Sequence, residues 1–176
     1  KGGVDAVLRD FDLDDIEEGD AFICNDAYLA GGTHLPDISI ITPVFYSNGL
    51  RCFVACVGHH ADVGGSVPGS ISPSATSIFE EGIRIPPIKI VRRGILQEDI
   101  IRLVINNTRE PEDRSLDLKA QVATNDFGVI QTKKLIEKMG LEAMEIAVED
   151  LLIYTSRRLK KHLLALKQGS SSFTTW

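Results

Sequence analysis

The sequence predicts an α+β protein, with a β-rich N-terminal half and a helical C-terminal half. Short β-branched and aromatic runs bounded by Gly, Pro and Asn fill residues 1–96. From Gln97 the apolar residues change from the strand period to the helix period. No internal repeat is present, and strands and helices do not alternate, which is the pattern of segregated elements.

Val4–Leu8 fit a short helical turn, and Asp12–Asp20 form an acidic loop. Ala21–Asn25 read as a short apolar strand, and Asp26–Asp37, with Gly31-Gly32 and Pro36, as irregular chain. Ile38–Tyr46 read as a strand that Asn48-Gly49 turns back into Arg51–Gly58, a hairpin. Gly64–Ile78 is a Gly/Ser/Pro-rich loop, long enough to suggest function or disorder. Phe79–Leu96 hold a further strand, which Pro86-Pro87 would confine to an edge or an extended segment.

Gln97–Asn107 form the first predicted helix of the C-terminal half, with Ile100, Leu103 and Val104 on one face. Pro111–Gly140 form the second. Pro111 suits its first turn, Glu112 and Asp113 complement its dipole, Gly140 suits its end, and Gly128 is expected to kink it. Leu141–Lys167 form the third, with a stripe of Leu141, Met144, Ala147, Val148, Leu151 and Leu152. Leu103, Leu118, Leu135 and Leu151 are expected in a core. The division is therefore 1–96, β-rich, and 97–176, helical. The chain opens without Met in mid-element and closes on a polar loop ending at Trp176, as a piece of a longer polypeptide would.

Composition narrows the function classes. Hydrophobic residues at 43% and charged residues at 25% are ordinary for a globular chain and argue against disorder. A formal charge of -6 argues against a nucleic-acid partner, which needs a concentrated cationic surface. The basic run Ser156–His162 reads as a solvated helix face. No apolar run approaches the ~20 residues of a membrane helix. Cys24, Cys52 and Cys56 lie in apolar stretches without a CxxC pattern, so reduced thiols in a cytoplasmic protein are expected. No GxxxxGK[ST] motif is present, so any ATP would bind elsewhere.

Three of the four histidines gather beside aspartates, as His34-x-x-Asp37 and, one hairpin later, His59-His60-x-Asp62. A hairpin returns both groups to one end. Imidazoles and carboxylates together suit Zn, Mn or Fe, and a set of two histidines and one or two carboxylates leaves positions open for water or substrate. Each histidine alone reads more simply as a loop residue held by backbone; the gathering of three favours metal. Asp62 either orients an imidazole or acts as a base, or else caps the turn before Gly64-Gly65. Backbone N–H groups of Gly64-Gly65 and Gly69-Ser70 offer a second place for an anion.

The blocks GGTHLPDISIITPVF, GHHADVGGSVPGS and EEGIRIPPIKIVRRG resemble the signature segments of the hydantoinase B/oxoprolinase family. The resemblance runs from Asp20 to Arg158. It implies a B-type component of an ATP-coupled hydrolase that opens cyclic amides of the hydantoin, lactam or 5-oxoproline type. An A-type subunit or fused domain would use the ATP, so a hetero-oligomer is expected. Carried onto this sequence, the resemblance implies His34, Asp37 and His59 as ligands of a divalent metal, with His60 as a possible addition. Beside that carry-over, the residues themselves offer Asp62 and Glu81 as catalytic carboxylates, and Arg84 or Lys89 to neutralise a phosphorylated intermediate. The simpler reading of those two cations is an exposed strand surface. Two alternatives stand beside this one: a subunit of an acetone-type ATP-dependent carboxylase, or a truncated non-catalytic interaction module. The segments IRIPP and NTREPEDRSLDLKAQ resemble the hydantoin and lactam amidohydrolases more than the ketone carboxylases, and by that resemblance imply the amidohydrolase branch.

Overall fold

The computed structural model describes residues 1–166, 169–170 and 172–174. The elements are α1 (Gly2–Asp10), β1 (Ala21–Cys24), α2 (Ala27–Ala30), β2 (Asp37–Tyr46), β3 (Gly49–His59), β4 (Ile88–Arg92), β5 (Ile95–Leu96), α3 (Glu98–Ile105), α4 (Pro111–Met139) and α5 (Leu141–Leu164). Strands come first and long helices last, so the α+β class holds. The expected helix end at Lys167 and the closing Trp176 lie outside the described residues. The chain forms two compact units, Lys1–Lys133 and Lys134–Trp176.

In the first unit the strands make one antiparallel sheet in the order β3-β2-β1-β4-β5. Cα partners Phe22↔Ile41, Ile23↔Ile40 and Cys24↔Ser39 set which residues share a face. Ile23, Ile38 and Ile40 pack with Leu35, Val63, Ile101, Val104 and Leu118. Phe22, Cys24 and Ile41 pack on the other face with Ala6, Val7 and Ile16. Because β1 is buried on both faces, its sequence is an unbroken apolar run rather than an alternating one.

The β2–β3 hairpin forms where expected, but its turn is shifted by one residue. Tyr46 pairs with Gly49, so Ser47 and Asn48 are the turn residues, with φ of 50° and 59°. A two-residue turn matched to strand twist needs positive φ at both positions, which asparagine tolerates well. A bulge follows: Val44 pairs with Cys52 and Phe45 with Leu50, leaving Arg51 unmatched. β4 begins after Pro86-Pro87 and lies between β1 and β5, inside the sheet rather than at its edge. Arg93 and Gly94, at φ 48° and 79°, turn it into β5, a second hairpin that the sequence reading missed.

α4 lies over the β2–β3 face. Asn125 donates to the carbonyl of Ile40 (2.8 Å) and to Thr42 Oγ1 (3.1 Å). Gly128 does not interrupt the helix. A Cβ there would stand 2.7 Å from Val54 Cγ1, so the glycine permits close approach to β3. In α3 the expected Val104 is buried together with Ile101, and Ile100 packs against the same core, whereas Leu103 is exposed. Of the leucines expected in a core, only Leu118 is buried. Leu103, Leu135 and Leu151 are 57%, 46% and 62% exposed. α5 contains no buried residue, and its basic run Ser156–His162 is exposed. Among the described residues, no helix is long and apolar enough to cross a membrane. The three cysteines are free, and burial, with the charge of Asp26, pushes the Cys24 thiol up to about 11.

Candidate metal centre

The last rung of the β2–β3 ladder pairs Asp37 with His59. Just before it, a turn closed by Asp37 N–H to the His34 carbonyl (3.2 Å) folds His34 back over the strand end. Buried Leu35 anchors that turn, and His60 N–H donates to the Pro36 carbonyl at 2.8 Å. Two segments far apart in sequence therefore meet at one end of the hairpin.

Asp37 sits between the two imidazoles. Its Oδ2 is 2.9 Å from His34 Nε2 and its Oδ1 is 3.1 Å from His59 Nδ1. The rings are 5.0 Å apart. Burial opposes ionisation of Asp37, but hydrogen bonds from His59 and His34 outweigh it and hold the carboxyl below its ordinary range. The side chains of His34, Asp37 and His59 are 34%, 27% and 52% exposed, so a small molecule can reach them.

This donor set fits a divalent cation. Bonds of about 2.0–2.2 Å put two donors on one ion at most roughly 4.4 Å apart. The ligand atoms of His34, Asp37 and His59 lie within 4.8 Å of one another, so little movement would be needed. Two imidazoles and one carboxylate match Zn, Mn or Fe chemistry and leave further positions open.

Strand parity separates His59 from His60. Consecutive strand residues point to opposite faces, and His60, 2% exposed, turns away to meet Gln121 Oε1 at 2.8 Å. Burial pushes its pKa below the ordinary imidazole value, against the opposing effect of Gln121.

The other expected site residues stand apart from the triad. Asp62 is buried, and its oxygens accept from the N–H groups of Gly64 (2.9 Å) and Gly69 (3.0 Å) and from Arg109 Nη1 (2.7 Å). It holds the Gly64–Ser70 loop, and the Gly64 and Gly69 donors proposed for an anion are spent on it. Glu81 follows a 3₁₀ turn at Ile78–Glu80 and is not part of the donor cluster. Arg84 pairs with Asp26 at 2.7 Å and lies against the Tyr28 and Phe79 rings. Lys89, expected as an exposed cation, is buried and pairs with Asp20 at 2.7 Å. Gln121 and Arg109 escaped the sequence reading because nothing in their local spacing marks them; their partners lie dozens of residues away.

A cavity of about 250 Å³ opens beside Asp37, lined also by Cys24, Ser39 and Val57. Pairing of Cys24 with Ser39 and of Ser39 with Val57 puts these side chains on the Asp37–His59 face of the sheet.

Comparison with known proteins finds relatives along nearly the whole chain. The chain is 38% identical over 173 residues to 5-oxoprolinase 1 of Arabidopsis thaliana, covering 92% of the chain and 14% of the plant protein. It is 34% identical to caprolactamase subunit beta of Pseudomonas jessenii, covering 92% of the chain and 28% of that subunit. The chain thus spans between about a seventh and under a third of these relatives. A crystal structure of the ATP-dependent caprolactamase of the same bacterium superposes with a TM-score of 0.82 at 31% identity, over 96% of the chain and 29% of the other. A nucleotide-free acetone carboxylase shares the fold, with a TM-score of 0.71 at 21% identity over 81% of the chain and 19% of the other. The hydantoinase B/oxoprolinase family model matches residues 1–176, and the chain belongs to that family.

Proposed function

We propose that this chain carries the metal-holding part of an ATP-coupled hydrolase that opens cyclic amides of the hydantoin, lactam or 5-oxoproline type. The observation that carries the reading is Asp37 set between His34 and His59 at the open end of a hairpin, in a family whose members include oxoprolinases and caprolactamase. A divalent ion held there would supply Lewis-acid polarisation of a carbonyl or phosphoryl oxygen and would acidify a water. His34 and His59 would offer neutral nitrogen donors. Asp37 would contribute the compensating negative charge, and its depressed pKa keeps it ionised at neutral pH. The cavity beside Asp37 is large enough for a small ring and too small for a macromolecule.

ATP belongs to another subunit or domain in this reading, since the chain has no phosphate-binding motif and the caprolactamase relative is itself named as a beta subunit. Amide resonance makes the ring resistant to plain hydrolysis. Phosphorylation of the amide oxygen by the ATP-using partner would remove the amide resonance and make the ring carbon an electrophile. Water delivered near Asp37 would add to that carbon, the ring C–N bond would break as the nitrogen takes up a proton, and a second water would release phosphate from the resulting acyl phosphate. The test combines the full-length polypeptide with its ATP-using partner and follows ring opening, phosphate release and bound metal together. His34→Ala is expected to lose metal and ring opening. Full metal content and turnover in that variant would refute the assignment. Bicarbonate-dependent product formation would point to the carboxylase branch.

A further inference from the structure

We propose that Gln121 is a positioning residue for the His34–Asp37–His59 triad, acting through the sheet from its opposite face. The inference rests on the metal reading above. Asp37 and His59 form the terminal rung of the β2–β3 ladder, where strands open most readily. The neighbours of both residues point to the reverse face, and a single carboxamide grips both. Gln121 Nε2 donates to the Ile38 carbonyl at 2.9 Å, and Gln121 Oε1 faces His60 Nε2 at 2.8 Å. Since the amide nitrogen serves Ile38, the oxygen accepts, and the proton of this pair lies on His60 Nε2.

One side chain therefore fixes the residue after Asp37 and the residue after His59. Gly58, the partner of Ile38, makes the grip possible. A Cβ on it would stand 2.7 Å from Gln121 Nε2 and 2.8 Å from its Cδ. Asn125, one turn further along α4, makes a similar set of bonds to Ile40 and Thr42, deeper in the sheet and away from the terminal rung. It provides the contrast between a residue that positions the triad and one that only secures the sheet.

The experiment titrates Co(II) into the chelator-stripped full-length polypeptide, reading affinity and the ligand-field absorption spectrum. Gln121→Met is expected to weaken Co(II) binding about tenfold or more, in the range typical of residues that orient ligands, and to alter the spectrum. Gly58→Ala should reproduce that defect by displacing Gln121 without removing a polar group, and it serves if Gln121→Met does not fold. Asn125→Leu should lower the melting temperature and leave affinity and spectrum unchanged. Wild-type affinity and spectrum in both Gln121→Met and Gly58→Ala overturn the positioning role, as does an equal loss in Asn125→Leu. Co(II) binding abolished by His34→Ala but untouched in Gln121→Met overturns this inference alone. Binding that survives His34→Ala overturns the metal reading with it.

Discussion

Asp37 and Asp62 each stand within three residues of a histidine, and both carboxyls are held below their ordinary range. For both, burial works against ionisation and hydrogen bonds win. The partners differ in kind. Asp62, with its side chain 6% exposed, is committed to two glycine amides and the Arg109 guanidinium, all part of the fold. Asp37 leans on two imidazoles that are themselves accessible and can exchange a hydrogen bond for a metal bond. A carboxylate satisfied by backbone and guanidinium is structural; one satisfied by open imidazoles is available. The following measurements probe that difference, beginning with the largest effect.

Asp62→Ala is expected to cost the most. It leaves the Gly64 and Gly69 amides without their acceptor, at about 1–3 kcal/mol for each buried donor left unsatisfied. It also removes the ion-pair partner of Arg109, whose side chain is 39% exposed and keeps its bonds to the Gly64 and Gly65 carbonyls. Chemical unfolding would show a large drop in the midpoint at unchanged slope. A loss below about 1 kcal/mol would mean that Asp62 is no more committed than Asp37.

Acid should reveal the committed carboxylates next. Asp26, whose side chain is 3% exposed, resembles Asp62: burial opposes its charge, while Arg84 and the Leu29 and Tyr28 amides hold its pKa down. A folded-state pKa below the unfolded value of about 3.9 means that the unfolded chain binds more protons in that window. The stabilisation is therefore complete at neutral pH and is lost as pH falls through the carboxylate range toward the folded pKa. Asp26→Asn should flatten the decline in unfolding midpoint between about pH 5 and 3. An unchanged slope would remove Asp26 from the group.

Asp37→Ala should barely change folding, by about 0–1 kcal/mol, because its partners are partly exposed and can turn to water. Metal occupancy of the full-length polypeptide should fall sharply in the same variant. A stability loss in Asp37→Ala as large as that of Asp62→Ala would erase the distinction between the two residues.

The sequence carried the hairpin and the convergence of His34, Asp37 and His59 well, because periodicity and turn residues are local signals. Parity along one strand separates His59 from His60 once the register is known. Turn phasing was less legible: Asn48-Gly49 looked like the turn pair, while the ladder closes one residue earlier, at Tyr46 and Gly49. Arg109, Gln121 and the Asp20–Lys89 pair were invisible, since each joins segments that only the folded sheet brings together. The stripe on α5 was legible as a stripe. Periodicity shows that a helix has an apolar face, not what covers it.

Leu118 and Leu151 separate pattern from packing, and Leu151 gives the smallest expected effect. Both were expected in a core, yet Leu118 is 0% exposed and packed with Leu35 and Ile38, whereas Leu151 is 62% exposed. Truncating a buried leucine typically costs about 2–5 kcal/mol through lost transfer energy and the cavity left behind. Neither term applies to a side chain already largely in water, and alanine is at least as good a helix former as leucine. Leu151→Ala should therefore shift the stability of this 176-residue chain by no more than about 0.5 kcal/mol. Paired thermal melts of Leu118→Ala and Leu151→Ala provide the test. A melting temperature that falls as far in Leu151→Ala as in Leu118→Ala would show that the α5 stripe is covered in solution and place Leu151 with the committed side chains.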